Sequence, residues 1–127
     1  VLERAGIMLS PIGSALSGLS AASTRVSVAA DNIANQFSKD YVPKQVTQVS
    51  LQTGGTQARV LDVTPATTPV FNPSDPEANA DGTVSFPNVD LATELVNLTI
   101  ASYDYKANLK SIKVANELHK SLLDIFS

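Results

Sequence analysis

Two stretches at opposite ends of the chain repeat apolar residues at alternating steps of four and three, and this pattern restricts the fold more than any other feature. The first runs Ile12, Leu16, Leu19, Ser23, Val26, Ala30, Ile33 and Phe37, with only Ser23 interrupting the stripe. The second runs Leu91, Leu95, Leu98, Ser102, Tyr105, Leu109 and Ile112. Such spacing returns side chains to one narrow helical face, the seam of a coiled-coil-like pair. Beyond Ile112 the frame meets Asn116 and His119, whereas Ala115, Leu118, Leu122 and Ile125 continue a better stripe after a skipped residue. A local change of twist is expected there.

Helix boundaries follow from local chemistry. Ser10 followed by Pro11 reads as an N-cap and first helical residue, because Ser accepts a bond from an orphan amide and Pro has no amide to lose. The N-terminal helix is therefore placed at residues 10–37, and residues 1–9 are read as a flexible N-terminus, an alternative start or a cloning remnant. Gly13 and Gly18 each cost about 1 kcal/mol relative to Ala, so packing must hold this helix. The C-terminal helix is placed at 88–127, capped by Asn88 or Asp90 and packed on the first. At 1.5 Å per residue the two would span roughly 40 Å and roughly 54 Å.

Between them, residues 38–63 hold two runs rich in Val, Leu, Thr and Gln, 42–51 and 58–63, with Gly54-Gly55 at the turn of a small β-hairpin. Residues 64–87 contain Pro65, Pro69, Pro73, Pro76 and Pro87, which argue against helix and against paired strand alike, so this segment is expected to run extended. The fold class is thus mainly α: two long terminal helices with a small β-hairpin and an extended Pro-rich segment inserted between them.

Catalytic chemistry finds little support. Cysteine is absent, which removes disulfides and thiolate sites. His119 is the only histidine and lies in a helix beside Glu117 and Lys120, where a partly exposed helical residue explains it. Asp75, Glu77 and Asp81 lack the spacing and closing Glu of a calcium loop, and Gly54, Gly55 and Gly82 read as turn residues rather than a phosphate cradle. Neither enzyme, metal site nor cofactor is expected. Tyr103 and Tyr105 read as packing residues on an amphipathic helix. Nine basic residues against twelve acidic ones, a formal charge of −3, come without a basic stripe, so nucleic acid is not an expected partner. No run approaches the roughly 20 apolar residues of a membrane span, and no cleavable signal is expected.

What is unusual is architectural. Val28, Val96, Ile100, Ala101 and Val114 fall off the principal seam. Each would contribute about 1.5–3 kcal/mol if fully buried, which points to further partners. The seam positions expected to carry helix packing or assembly are Leu16, Leu19, Val26, Ile33, Leu95, Leu98, Leu109 and Ile112.

Ala30-Asp31-Asn32-Ile33-Ala34-Asn35 resembles the A-x-N-[IL]-A-N signature that ends the first helix of flagellar rod and hook proteins, and Tyr41 matches the tyrosine that follows it. Gly82-Thr83-Val84-Ser85-Phe86-Pro87-Asn88-Val89-Asp90 resembles the G-x-V-x-x-P-N-V-D entry to their C-terminal helix, and Glu94, Tyr105, Asn108 and the segment 72–78 fit as well. Ser38 stands where that family usually has Thr, and Asp40 where it usually has Gly. The short central region is similar to the small proximal-rod type. The resemblance implies a non-enzymatic structural subunit of the basal-body rod, exported without a cleaved signal through the flagellar type III pathway and stacked in the periplasm. It further implies self-association, and rod subunits, membrane-ring junction proteins and the export apparatus as partners. A coiled-coil adaptor or secretion-system accessory protein is the alternative.

Overall fold

The computed structural model describes the backbone of residues 2–127 and side chains from Pro11 onward. Helix α1 (Leu2–Ala34) leads into strands β1 (Lys44–Ser50), β2 (Thr56–Asp62), β3 (Thr67–Phe71) and β4 (Thr83–Pro87), and helix α2 (Leu91–Phe126) closes the chain. The helices run antiparallel, with Gly18 beside Asn108 and Arg25 bonded to Asp104. Hairpin β1–β2 lies along α1, where the Thr56 amide donates to Ser17 Oγ at 3.1 Å and the Asn32 amide group donates to the Lys44 carbonyl at 2.7 Å.

The first helix does not begin at Ser10. It starts at Leu2, with Pro11 in its interior. Pro11 leaves the Ile7 carbonyl without its i+4 donor, but Leu2, Glu3, Arg4 and Ala5 all have high helix propensity, and they carry the backbone through that gap. The helix also ends earlier than Phe37. Asn35–Phe37 form a turn in which the Ser38 amide donates to the Asn35 carbonyl at 3.0 Å. The second helix starts at Leu91 on an Asp90 cap, whose side chain accepts from the Ala92 amide at 3.1 Å and from Thr93 Oγ1 at 2.9 Å.

The β1–β2 hairpin forms about Gly54 and Gly55, whose φ angles of 89° and 90° side-chain-bearing residues rarely adopt. Residues 64–87, by contrast, are not simply extended: β3 and β4 pair antiparallel, with Pro69 opposite Ser85 and Thr67 opposite Pro87. Phase explains why prolines are tolerated. The Asn72 amide donates to the Gly82 carbonyl and the Asn88 amide to the Ala66 carbonyl, both at 2.9 Å, which makes 72/82 and 66/88 hydrogen-bonding pairs. Alternation along the ladder then puts Pro69 and Pro87 at positions whose amides point away from the partner strand. No ladder bond is lost to either proline.

Between the helices the contact is built from small side chains. Ala21, Ala22, Ala29 and Ala101 are buried, and Ala101 is fully covered. At Gly18 an added Cβ would sit 2.5 Å from Asn108 Oδ1, so the backbones approach closely there. The contact stripe on α1 is Gly18, Ala22, Arg25, Ala29 and Asn32, each one residue before the apolar stripe seen in the sequence. One residue is about 100° of helix rotation. Small residues win the contact because they let the axes come together, and the larger aliphatics are turned to the flank and outward.

Candidate functional site: a helix–hairpin joint and an exposed helix face

Asn32 is the hub of the joint. It is 1% exposed, and it sits where α1, the incoming chain of β1 and the first turn of α2 meet. Its Oδ1 accepts from the Lys44 amide at 3.0 Å and from the Tyr41 hydroxyl at 2.7 Å. Its amide group donates to the Lys44 carbonyl and lies toward the Glu94 carboxylate, which it influences electrostatically. This is the one side-chain orientation that satisfies all of them, since the carbonyl end has only acceptors and the amide end only donors. A strand-like pair of bonds to Lys44 lets one side chain stand in for a neighbouring strand.

Burial sets the electrostatics of this joint. Glu94 is pushed above the usual carboxylate range by desolvation, an effect opposed by the Asn32 amide group and reinforced by the charge of Asp90. Tyr41 is raised by burial first and then by the negative charges of Asp31 and Glu94. The turn before Tyr41, closed by its amide on the Ser38 carbonyl at 3.0 Å, accepts Asp40 without left-handed backbone, since among the described residues no non-glycine has positive φ. The Asp-for-Gly departure at this position therefore leaves the turn unstrained.

The other motif residues secure the second hairpin. Asn88 Nδ2 donates to the Pro65 carbonyl at 3.0 Å, and its Oδ1 accepts from Thr68 Oγ1 at 3.0 Å. Pro87 is buried, the Val89 amide returns to the Pro87 carbonyl at 2.9 Å, and Asp90 caps α2. Asn35 Nδ2 bonds the Asp31 carbonyl at 2.9 Å, while its Oδ1 accepts from Ser38 Oγ at 3.3 Å. Ala30 and Ala34 are exposed and Ile33 is half-buried. Lys39 then reaches across to Asp75 at 3.2 Å and Glu77 at 2.7 Å, tying the turn after α1 to the loop between β3 and β4. Phe37, itself exposed, stacks edge-on against Phe86 with centroids 6.2 Å apart.

The seam residues divide into two groups. Leu19, Val26, Ile33, Leu98 and Ile112 are half-buried along the flank of the helix contact, whereas Leu16, Leu95 and Leu109 remain 51%, 47% and 50% exposed. Of the residues set apart from the seam, Ala101 is fully buried in the helix contact, while Val96, Ile100 and Val114 are exposed and Val28 is half-buried. Tyr103 and Tyr105 are also exposed rather than packed, with Lys106 Nζ 5.9 Å from the centre of the Tyr103 ring. The hub role of Asn32 and the Lys39 tie were not derivable from spacing, although a polar residue recurring in phase with buried alanines is the signal that marks Asn32.

Among the described residues there is no cluster of three or more His, Asp or Glu able to hold a metal ion, and no helix long and apolar enough to cross a membrane. The molecule is an elongated helical scaffold carrying two hairpins at one joint, with its apolar material displayed along the helices.

Comparison with known proteins gives this class a family. A model described as flagella basal body rod protein matches residues 12–38, and one described as flagellar basal body rod FlgEFG protein C-terminal matches residues 80–125. The flagellar basal-body rod protein FlgC of Yersinia enterocolitica is 40% identical over 114 residues, covering 80% of this chain and 85% of that protein. Its namesake from Salmonella typhimurium is 36% identical with the same coverage, and that of Bacillus subtilis is 28% identical over 137 residues, covering 86% and 91%. The chain belongs to the flagellar basal-body rod protein family.

Proposed function

We propose that this chain is a non-enzymatic structural subunit of the flagellar basal-body rod, of the small proximal type, and that it polymerises through its two terminal helices into the shaft that transmits torque. One observation carries the assembly step. After α1 has packed on the alanine side of α2, Leu91, Leu95, Val96, Ile100 and Leu109 are still 41–57% exposed along α2. Leu91, Leu95 and Leu109 share one side of α2 and Val96 and Ile100 another, and burying the remaining half of each such side chain is worth about 1 kcal/mol, so covering both sides favours association by several kcal/mol before ordering costs. An open-ended, heterologous contact between identical subunits generates a helical tube, and helices set side by side give it torsional stiffness.

The relatives' names support a place in the basal body. From the same family reading come a periplasmic position, export without a cleaved signal, and partners among other rod subunits, the membrane-ring junction proteins and the export apparatus. In the assembled rod the helices gain neighbours in a coiled-coil-like arrangement, and dilute monomer is expected to show less helix than assembled protein.

Leu95→Asp combined with Leu109→Asp tests the reading, because both residues face outward and the helix contact does not need them. The purified variant should keep the helical circular dichroism of the unaltered chain, and cells carrying it as their only copy should not swim. A variant that swims normally contradicts assembly through this face. Loss of binding to one defined partner with swimming intact would favour an adaptor.

A further inference from the structure

The charges of the described residues separate along the molecule. Most basic residues near the joint are already paired: Arg25 with Asp104, Lys39 with Asp75 and Glu77, and Lys44 with Asp62. On α2, Lys106, Lys110, Lys113 and Lys120 form no such ion pair among the described residues. Their spacing of four, three and seven places them on one helical face, which also carries Glu117 and is flanked by half-exposed Leu109 and Val114. The contact residues, buried Ala101 and half-buried Asn108, lie on the opposite side of the helix, so this face points away from α1.

A complementary surface sits at the far end of the molecule. The loop between β3 and β4 carries Asp75, Glu77 and Asp81, and among the described residues Lys39 is the one cation bonded to it. Phe71, at the loop end of β3, is 73% exposed, and Val70 beside it is 44% exposed. The loop is held in one shape. The Glu77 amide donates to Asp75, the Thr83 amide and hydroxyl donate to Asp81, and the Gly82 amide donates to the Asn79 carbonyl at 2.9 Å. Such a preformed loop loses little entropy on docking.

We propose that the lysine face of α2 receives the acidic, Phe71-bearing end of the second hairpin from a second copy of this chain, an inference that rests on the rod-subunit reading above. Carboxylates of the loop meet the lysine ammonium groups while Phe71 packs on Leu109, at one flank of that face. A copy cannot fill its own face. Lys106 lies 16 residues beyond the Asp90 cap and Lys120 lies 30 beyond, about 24–45 Å along the axis, whereas Lys39 anchors the loop at the joint end. The contact is therefore head to tail and does not close on itself.

The chain has no cysteine, so disulfide trapping is clean. Lys113→Cys and Asp81→Cys are introduced together and singly, and basal bodies isolated from cells carrying each form are oxidised and run on non-reducing gels. The double variant is expected to give a ladder of covalent multimers and each single variant to remain monomeric. As a second arm, Lys110→Glu with Lys113→Glu should reduce incorporation into basal bodies at least tenfold, and adding Glu77→Lys with Asp81→Lys should restore it. Monomer alone from the double-cysteine variant, in cells that swim, overturns this contact and leaves the rod reading intact. Absence of the unaltered chain from basal bodies overturns both. Binding of the purified chain to vesicles containing anionic phospholipid, lost in the Lys110→Glu, Lys113→Glu variant with basal-body incorporation unchanged, overturns the contact and assigns the lysine face to a lipid surface.

Discussion

Replacing Asn32 with Ala is the sharpest perturbation of the joint. The change removes the acceptor for the Lys44 amide and the Tyr41 hydroxyl, and the donor to the Lys44 carbonyl, and it takes a favourable dipole away from the Glu94 carboxylate. A buried polar group left without a partner costs about 1–3 kcal/mol, and here the Lys44 amide and carbonyl are both orphaned. The small cavity admits water to part of the site, which places the net loss at about 3–5 kcal/mol, a large share of the roughly 5–15 kcal/mol typical of a domain. Equilibrium urea unfolding followed by circular dichroism should show the midpoint falling by about 1–3 M, taking a slope of about 1.5–3 kcal/mol/M. Asn32→Asp separates bonding from shape. It keeps the acceptors but places an oxygen against the Lys44 carbonyl and the Glu94 carboxylate, so it should resemble the Ala variant at pH 7 and recover part of the loss in acid, where a protonated carboxyl can donate. A midpoint for Asn32→Ala within 0.3 M (about 0.5–1 kcal/mol) of the unaltered chain would refute the hub, as would an Asp variant insensitive to pH.

Further outcomes follow from the same structure. Gly18→Leu should destabilise by about 1–3 kcal/mol in urea, because a side chain there meets Asn108 at the closest approach of the helices, whereas Gly18→Ala combined with Asn108→Ala should be neutral or stabilising through the gain in helix propensity. Asp90→Ala should cost about 0.5–2 kcal/mol through loss of the α2 cap, read in the same assay. Asp75 is held below the usual carboxylate range first by the Glu77 amide and then by Lys39, and Lys39 is held above its usual range chiefly by Glu77. The tie between turn and loop should thus be complete from about pH 4 to about pH 10, and be lost as acid passes through the lowered Asp75 value or base through the raised Lys39 value, as followed by the NMR shift of the Glu77 amide. Glu94 has the opposite sign: its raised value means stability is lost as pH rises through it, so Glu94→Gln should raise the urea midpoint at pH 7 and leave it unchanged below about pH 4.

Much of the fold was legible because helical periodicity and turn chemistry are local. Both long helices, a polar cap for the second at Asn88 or Asp90, and the Gly54-Gly55 hairpin follow from spacing and backbone preference; the structure selects Asp90 as the cap. The contact stripe was not legible in the same way. Apolar periodicity marks Leu16, Leu95 and Leu109, but close helix approach is decided by side-chain size, and Gly18, Ala22, Ala29 and Ala101 carry too little hydrophobicity to stand out. The second hairpin was hidden for a related reason. Proline opposes strand pairing only where its amide would be needed, and the phase that spares Pro69 and Pro87 is a property of the partner strand's register. Of the joint, the motif residues could be recognised by resemblance, but the bonds of Asn32 to Tyr41 and Lys44 and the tie from Lys39 depend on which segments meet in three dimensions.

The central claim, that this chain is a rod subunit without which the shaft does not form, is tested most directly by removing its gene, restoring it in trans, and imaging isolated basal bodies by electron microscopy alongside a swimming assay. The account predicts basal bodies lacking a rod and cells lacking external filaments and motility, all recovered on complementation. Complete rods with normal filaments and swimming in the deletion strain would contradict it.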